Sequence, residues 1–210
     1  MEKTNVVKAI AQKNPRNPNH PKKNDKITVD PIRRLEDIKA IKSILSDKAR
    51  DLLLFTMGVN NGLRAGDLLG LKVKDVRHLK EGDCLSLRES KTRKSNILMV
   101  NRSVYKALRN YLEQACPEDE DFLFSSQKSK RPLVIQSVNA LMKKWTKAIN
   151  LRGNYGAHTL RKTFGYIQRT KYGVSWEILA DRFNHSTPAV TRHYLGITKG
   201  EVSEILLNEI

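Results

Sequence analysis

From Arg33 onward, apolar residues return at helical spacing almost without pause, and a single stretch breaks the pattern with strand-like sequence. Leu35, Ile38, Ile41, Ile44 and Leu45 line one face of a first helix, the spacing that lets a 3.6-residue repeat bury one side. Ser46-Asp47 resembles the cap of a second helix, roughly 48–59, which stops at the turn sequence Asn60-Asn61-Gly62. Another short helix begins near Arg64 and carries Leu68, Leu69 and Leu71. Cys84-Leu-Ser-Leu-Arg88 and Ser95-Asn-Ile-Leu-Met-Val100 then read as two short strands, joined by the basic linker Lys91-Thr-Arg-Lys94 as a hairpin with a charged tip. Helical patterns follow over 103–113, 137–150, 158–170, 176–183 and 189–194. A last segment, 201–210, puts Val202, Ile205, Leu206 and Ile210 on one face. The expected fold is mainly α with a small antiparallel β-sheet (α+β).

The first thirty residues differ from the rest. Asn14-Pro-Arg-Asn-Pro-Asn-His-Pro-Lys-Lys-Asn24 holds three prolines, several bases and nothing apolar to bury. Proline bars its predecessor from helix and lacks an amide donor, so 1–30 reads as a flexible basic arm. It is either a solvated tail or an arm lying on DNA. A single domain is expected over 31–210, with the terminal helix 201–210.

Charge points to the partner. Lys and Arg number 39 against 22 Asp and Glu, a formal +17, and such a surplus favours a polyanion through counterion release. A ribosomal-type or merely soluble basic protein is the plain alternative, and composition does not choose between DNA and RNA. No apolar run approaches the roughly 20 residues that span a bilayer. Met1-Glu-Lys-Thr-Asn opens no signal-peptide pattern either, so a cytoplasmic protein is expected. Cys84 and Cys116 stand far apart without Cys-x-x-Cys spacing, which argues against a zinc site or a disulfide. Both are read as ordinary reduced cysteines in an apolar setting.

Four clusters bear groups able to do chemistry. In Gly62-Leu-Arg-Ala-Gly-Asp-Leu-Leu69, Arg64 opens a helix where free amides favour an anion, and Asp67 is spaced to orient its guanidinium. A surface ion pair is the ordinary identity of such a pair. Lys91 in Glu89-Ser-Lys-Thr-Arg-Lys94 is placed to reach a groove or a phosphate, although charged hairpin tips are usually only solvated. His158-Thr-Leu-Arg161 puts a proton carrier and a phosphate-gripping guanidinium on one helical face. Last come Asn184-His185 and Thr191-Arg-His-Tyr194; alone, each is more often structural.

Together, in this order and spacing, the four clusters resemble the catalytic domain of tyrosine recombinases, the phage-integrase family. That family carries Gly-Leu-Arg-x-x-Glu/Asp-Leu, a hairpin Lys, His-x-Leu-Arg, and a His or Trp nine residues before a nucleophilic Tyr. Arg64, Lys91, His158, Arg161, His185 and Tyr194 fill these places, with Asp67 at the acidic one. The likeness runs from about Ile38 to Leu195. Two departures are Asn184, where Gly usually precedes the His, and Lys162, where a second His is frequent. Many members also have an N-terminal helical domain that clamps the far side of the DNA, whereas a thirty-residue arm precedes the catalytic region here. That leaves a minimal recombinase, a shortened piece, or a protein whose partner supplies the rest of the clamp.

The resemblance implies a site-specific recombinase that cuts and rejoins double-stranded DNA through a 3′-phosphotyrosyl link to Tyr194. Arg64 and Arg161 would hold the nonbridging oxygens and Lys91 would protonate the departing 5′-oxygen. His158 would serve as acid or base, His185 would hydrogen-bond the phosphate, and Asp67 would support the arginines and His158 from behind. Arg93, Lys94, Lys162 and Arg192 are expected to contact DNA. No metal and no cofactor is implied; the chain has neither clustered carboxylates for a two-metal nuclease nor a Gly-x-x-x-x-Gly-Lys-Ser/Thr loop. A homo-tetramer on DNA is expected, with the C-terminal helix packing on its own domain or on a neighbour's, and with room for an accessory or second recombinase. A nucleoid-associated protein of bacterial or mobile-element origin fits. The alternatives are a type IB topoisomerase-like enzyme and a DNA-binding or regulatory protein on the same fold.

Overall fold

The computed structural model describes residues 28–126 and 129–197. Its centre is α2 (Ala49–Asn61), which buries Leu53, Leu54, Phe55, Thr56, Met57 and Gly58 in succession. A helix buried all round belongs inside a core, and α2 packs against both α5 (Arg102–Ala115) and α7 (Ala157–Tyr172). The helix α5 offers the stripe Val104, Ala107, Leu108, Tyr111 and Leu112, and Asn101 caps it by accepting from the Val104 N–H at 3.0 Å. Two further helices, α1 (Leu35–Ile44) and α6 (Ile135–Ala148), close the cluster, with Phe55 edge-on to Trp145 at 5.9 Å.

Between α2 and α5 the chain forms α3 (Ala65–Leu69), α4 (Val73–Val76) and a hairpin of β1 (Cys84–Arg88) and β2 (Ser95–Met99). The strands pair antiparallel from Cys84↔Met99 to Arg88↔Ser95. Alternation sends Asn96 and Leu98 inward and leaves Ile97 and Met99 exposed. The helix α4 was not foreseen, because one turn is too short to show a period. It is held by its own cap, the Asp75 carboxylate accepting from the Lys72 N–H at 2.8 Å.

A second, smaller cluster unites α8 (Trp176–Arg182) and α9 (Pro188–Leu195) through Trp176, Leu179, Phe183 and Leu195. Helix α7 serves both clusters: Leu160 belongs to the first, while Phe164 packs against the second. Gly165 permits the second contact, since a Cβ there would lie 2.7 Å from the Phe183 ring and 2.9 Å from Leu195. The seam between the clusters is where the chemistry gathers.

The expected mainly helical fold with one small sheet is what forms, and apart from α4 each described element lies within a few residues of its sequence limits. The cysteines differ from expectation: both are exposed, Cys84 on the outward register of β1 and Cys116 at the left-handed end of α5. Of the expected arm, 1–27 lie outside the described residues, as does the terminal helix 201–210. Residues 28–30 are tied down, with Asp30 N–H donating to the Asn154 carbonyl at 2.7 Å and Asn154 Nδ2 to the Thr28 carbonyl at 2.8 Å. Among the described residues no helix is long and apolar enough to cross a membrane.

Gly165→Val is therefore expected to force Phe183 and Leu195 off α7 and cost about 1–3 kcal/mol, the usual penalty of overpacking. Urea unfolding should show the loss; an unchanged midpoint would contradict the close approach.

Candidate active site

Arg161 lies at the seam. It is 2% exposed, and it donates through Nη1 to the Gly62 carbonyl and through Nη2 to the Phe183 carbonyl, both at 2.6 Å. Its guanidinium also sits 4.4 Å over the Phe183 ring. Gly62 ends α2 at φ 60°, and a Cβ there would run into Phe164, so glycine alone fits the position whose carbonyl accepts from Arg161. Burial lowers the Arg161 pKa to about 10, eased by the nearby Tyr194, which leaves a cation at neutral pH.

Arg64 stands at the N-cap of α3 in extended geometry and forms an ion pair with Glu89, whose side chain is fully buried. Burial works against ionisation of Glu89. Hydrogen bonds from Thr92, Asn184 and Asn96, with Arg64, outweigh it and bring its pKa to about 2. The sequence reading gave this place to Asp67. That expectation is corrected: among the described residues Asp67 makes no ion pair with Arg64, and it accepts instead from the Ser90 N–H and hydroxyl, both at 2.8 Å. Asp67 fixes the hairpin to α3, and Glu89 fixes Arg64. Glu89 escaped notice because a carboxylate in a charged hairpin tip reads as solvated; its burial comes from the fold of the loop. Lys91 follows it, exposed, and adds to the positive field at His158.

His158 begins α7 on its open side. The protein packed about it, and then Arg161, Arg64, Lys91 and Lys162, lower its pKa. His185 follows a turn whose Asn184 has φ 52°. That left-handed geometry accounts for the Gly usual there in the family, and Asn tolerates it nearly as well. Its amide also donates to the Ser95 carbonyl at 3.2 Å. His185 Nδ1 lies 2.9 Å from Thr191 Oγ1, and burial, with Arg161 and Arg64, pulls its pKa down to about 4. Its ring meets the Tyr194 ring at 5.2 Å and 79°.

Tyr194 completes the set on α9. Its hydroxyl is buried. Burial pushes its pKa up to about 12, opposed by Arg161 and Arg64. All six groups named from sequence thus share one electrostatic neighbourhood. Of the four expected DNA contacts, Arg93 and Lys94 are exposed at the hairpin tip, and Arg192 lies 5.3 Å over the Trp176 ring. Lys162 is turned inward, 7% exposed, with its ammonium 5.1 Å over the Tyr194 ring. Arg182 was missed altogether. It joins three elements, donating to the Asn61 carbonyl (3.0 Å), Asn96 Oδ1 (2.7 Å) and the Ile97 carbonyl (3.0 Å). No local pattern announces such a residue. Among the described residues no three His, Cys, Asp or Glu side chains gather to hold a metal.

Glu89 generates a pH prediction. Its folded pKa lies below the ordinary 4.5, so its stabilisation is complete above about pH 4.5 and vanishes as pH falls through about 2. Glu89→Gln should be less stable than the parent by about 3 kcal/mol at neutral pH. In urea unfolding that gap should close on acidification from pH 4.5 toward 2; a gap that does not change with pH would contradict the assignment.

The family described as "Phage integrase family" matches residues 27–201. "Probable integrase/recombinase YoeC" of Bacillus subtilis (strain 168) is 36% identical over 172 residues, covering 80% of this chain and 90% of the relative. A "Tyrosine recombinase XerC" of Caldanaerobacter subterraneus is 29% identical over 161 residues, 75% of this chain but 44% of the relative. The crystal structure of XerA recombinase superposes with a TM-score of 0.71 at 20% identity, over 89% of this chain and 68% of that one. XerH site-specific recombinase, bound to palindromic difH substrate in a post-cleavage complex, gives 0.67 at 22%, over 82% and 51%. These two structures share the fold. By the family match, which spans most of its length, this chain belongs to the phage integrase family and carries its tyrosine recombinase catalytic domain.

Proposed function

We propose that the chain is a site-specific recombinase that breaks and rejoins double-stranded DNA through a transient 3′-phosphotyrosyl bond to Tyr194. One observation carries the reading: the Tyr194 hydroxyl is buried beside Arg161 and Arg64. A phosphate entering there meets cations already fixed in place. Arg161 spends two of its N–H groups on carbonyls, which leaves three of five for nonbridging oxygens. The names of the relatives and the cleaved DNA in the XerH complex support the same reading.

The tyrosyl oxygen attacks phosphorus while the bond to the 5′-oxygen breaks. Because Tyr194 is held protonated, its proton must leave, and neutral His158 is the acceptor. The Lys91 ammonium supplies a proton to the departing 5′-oxygen. Arg64, Arg161 and His185 hold the charge that develops on the phosphate, an arrangement that needs no reorganisation during reaction. Attack by another strand's 5′-hydroxyl reverses these steps, so bond energy is kept without a cofactor. Exchange between two duplexes calls for four protomers on DNA, with or without an accessory protein.

The test is covalent trapping on duplexes from the DNA flanking the protein's own gene, nicked so that the cleaved strand cannot religate. The parent should give a shifted, protease-sensitive band on a denaturing gel, and Tyr194→Phe should give none. DNA binding without a band, while a known recombinase traps in parallel, would favour a regulatory DNA-binding protein. Sequence-independent relaxation of supercoiled plasmid would favour a topoisomerase.

A further inference from the structure

His185 and Thr191 come from different segments. His185 closes the turn after α8, its N–H reaching the Ala180 carbonyl at 2.9 Å, while Thr191 sits on α9 one turn ahead of Tyr194. Their side chains meet, Nδ1 to Oγ1, at 2.9 Å. Thr191 is fully buried, and among the described residues its hydroxyl has no other hydrogen-bond partner.

A threonine hydroxyl has one hydrogen to give, and a buried donor is costly to leave unmade. Were the ring proton on Nδ1, it would donate to Oγ1 and strand the threonine hydrogen without an acceptor. The opposite arrangement satisfies both groups: Thr191 donates, Nδ1 accepts, and the ring proton resides on Nε2. His185 is neutral near pH 7, its pKa pulled to about 4 by burial and then by Arg161 and Arg64, so it carries that single proton. Which nitrogen bears it is set by the bond the other makes.

Resting on the recombinase reading, we propose that Thr191 is a positioning residue that fixes His185 as the Nε2–H tautomer, ready to donate to a nonbridging oxygen of the scissile phosphate. Thr191 and Tyr194 ride on one helix, so docking of α9 delivers the nucleophile and sets the donor in a single step. If α9 left its place, the tyrosine and the oriented histidine would be lost together.

Two measurements on the full chain test this. In protein labelled with 15N-histidine, the His185 nitrogens should show a protonated Nε2 and a bare Nδ1. Thr191→Val, which removes the hydroxyl at nearly constant volume, should give a mixture of tautomers, and Thr191→Ser should restore the parent pattern. In single-turnover cleavage of a nicked duplex, Thr191→Val should be slower on the order of 10-fold, part of the roughly 10²–10³ that loss of an entire anion donor costs. DNA affinity should be unchanged, and Thr191→Ser should recover the rate. Adding Thr191→Val to His185→Ala should slow cleavage no further, because the threonine acts through the ring. A parent ring protonated at Nδ1 would overturn the proposal, as would independent, multiplying losses in the double variant. The nitrogen shifts need no cleavage, so a parent that forms no Tyr194 adduct sinks the recombinase reading while the tautomer is still decided.

Discussion

A buried guanidinium is expensive unless its hydrogens are used, and Arg161 uses them where the two hydrophobic clusters meet. The carbonyls it bonds, Gly62 and Phe183, end α2 and α8. Both are the electronegative ends of helices, natural partners for a cation. The same two bonds join the clusters and aim the guanidinium. Its remaining donors are fixed before any substrate arrives, which is the condition for electrostatic preorganisation. The joint between the clusters and the proposed chemistry thus lean on one side chain.

Around it the charge is unbalanced by design of the sequence. Arg64, Arg182, Lys162 and Lys91 crowd the seam, while Glu89 is the buried carboxylate set against them. Glu89 holds Arg64, and Asp67 holds the hairpin through Ser90. The neutral histidines add no further repulsion, since burial and the cations keep both deprotonated near neutral pH.

Much of this was legible beforehand, for identifiable reasons. The helices showed themselves through apolar spacing, the hairpin through its basic tip, and the six residues that share one electrostatic neighbourhood through motifs whose spacing survives in a single chain. Asn184 could be seen as a departure but explained only by its φ of 52°. Arg182 was hidden because its partners lie far along the chain: it reaches Asn61, 121 residues away, and Asn96, 86 away. Asp67 misled because helical spacing suggested a pairing with Arg64, whereas Arg64 is the N-cap in extended geometry rather than part of the helix. Lys162 follows Arg161 in sequence and was placed on DNA; in the fold it turns inward onto the ring of Tyr194.

The most direct measurement pairs stability with chemistry in Arg161→Lys. Lysine keeps a charge but lacks the fork that spans two carbonyls and a phosphate. Urea unfolding should show a loss of about 2 kcal/mol or more, as a buried carbonyl goes unbonded. Single-turnover cleavage by the same preparation should fall by roughly 10² or more. A variant as stable as the parent would show that the carbonyl bonds do not join the two clusters. One that cleaves at the parent rate would show that the guanidinium is not the phosphate's holder.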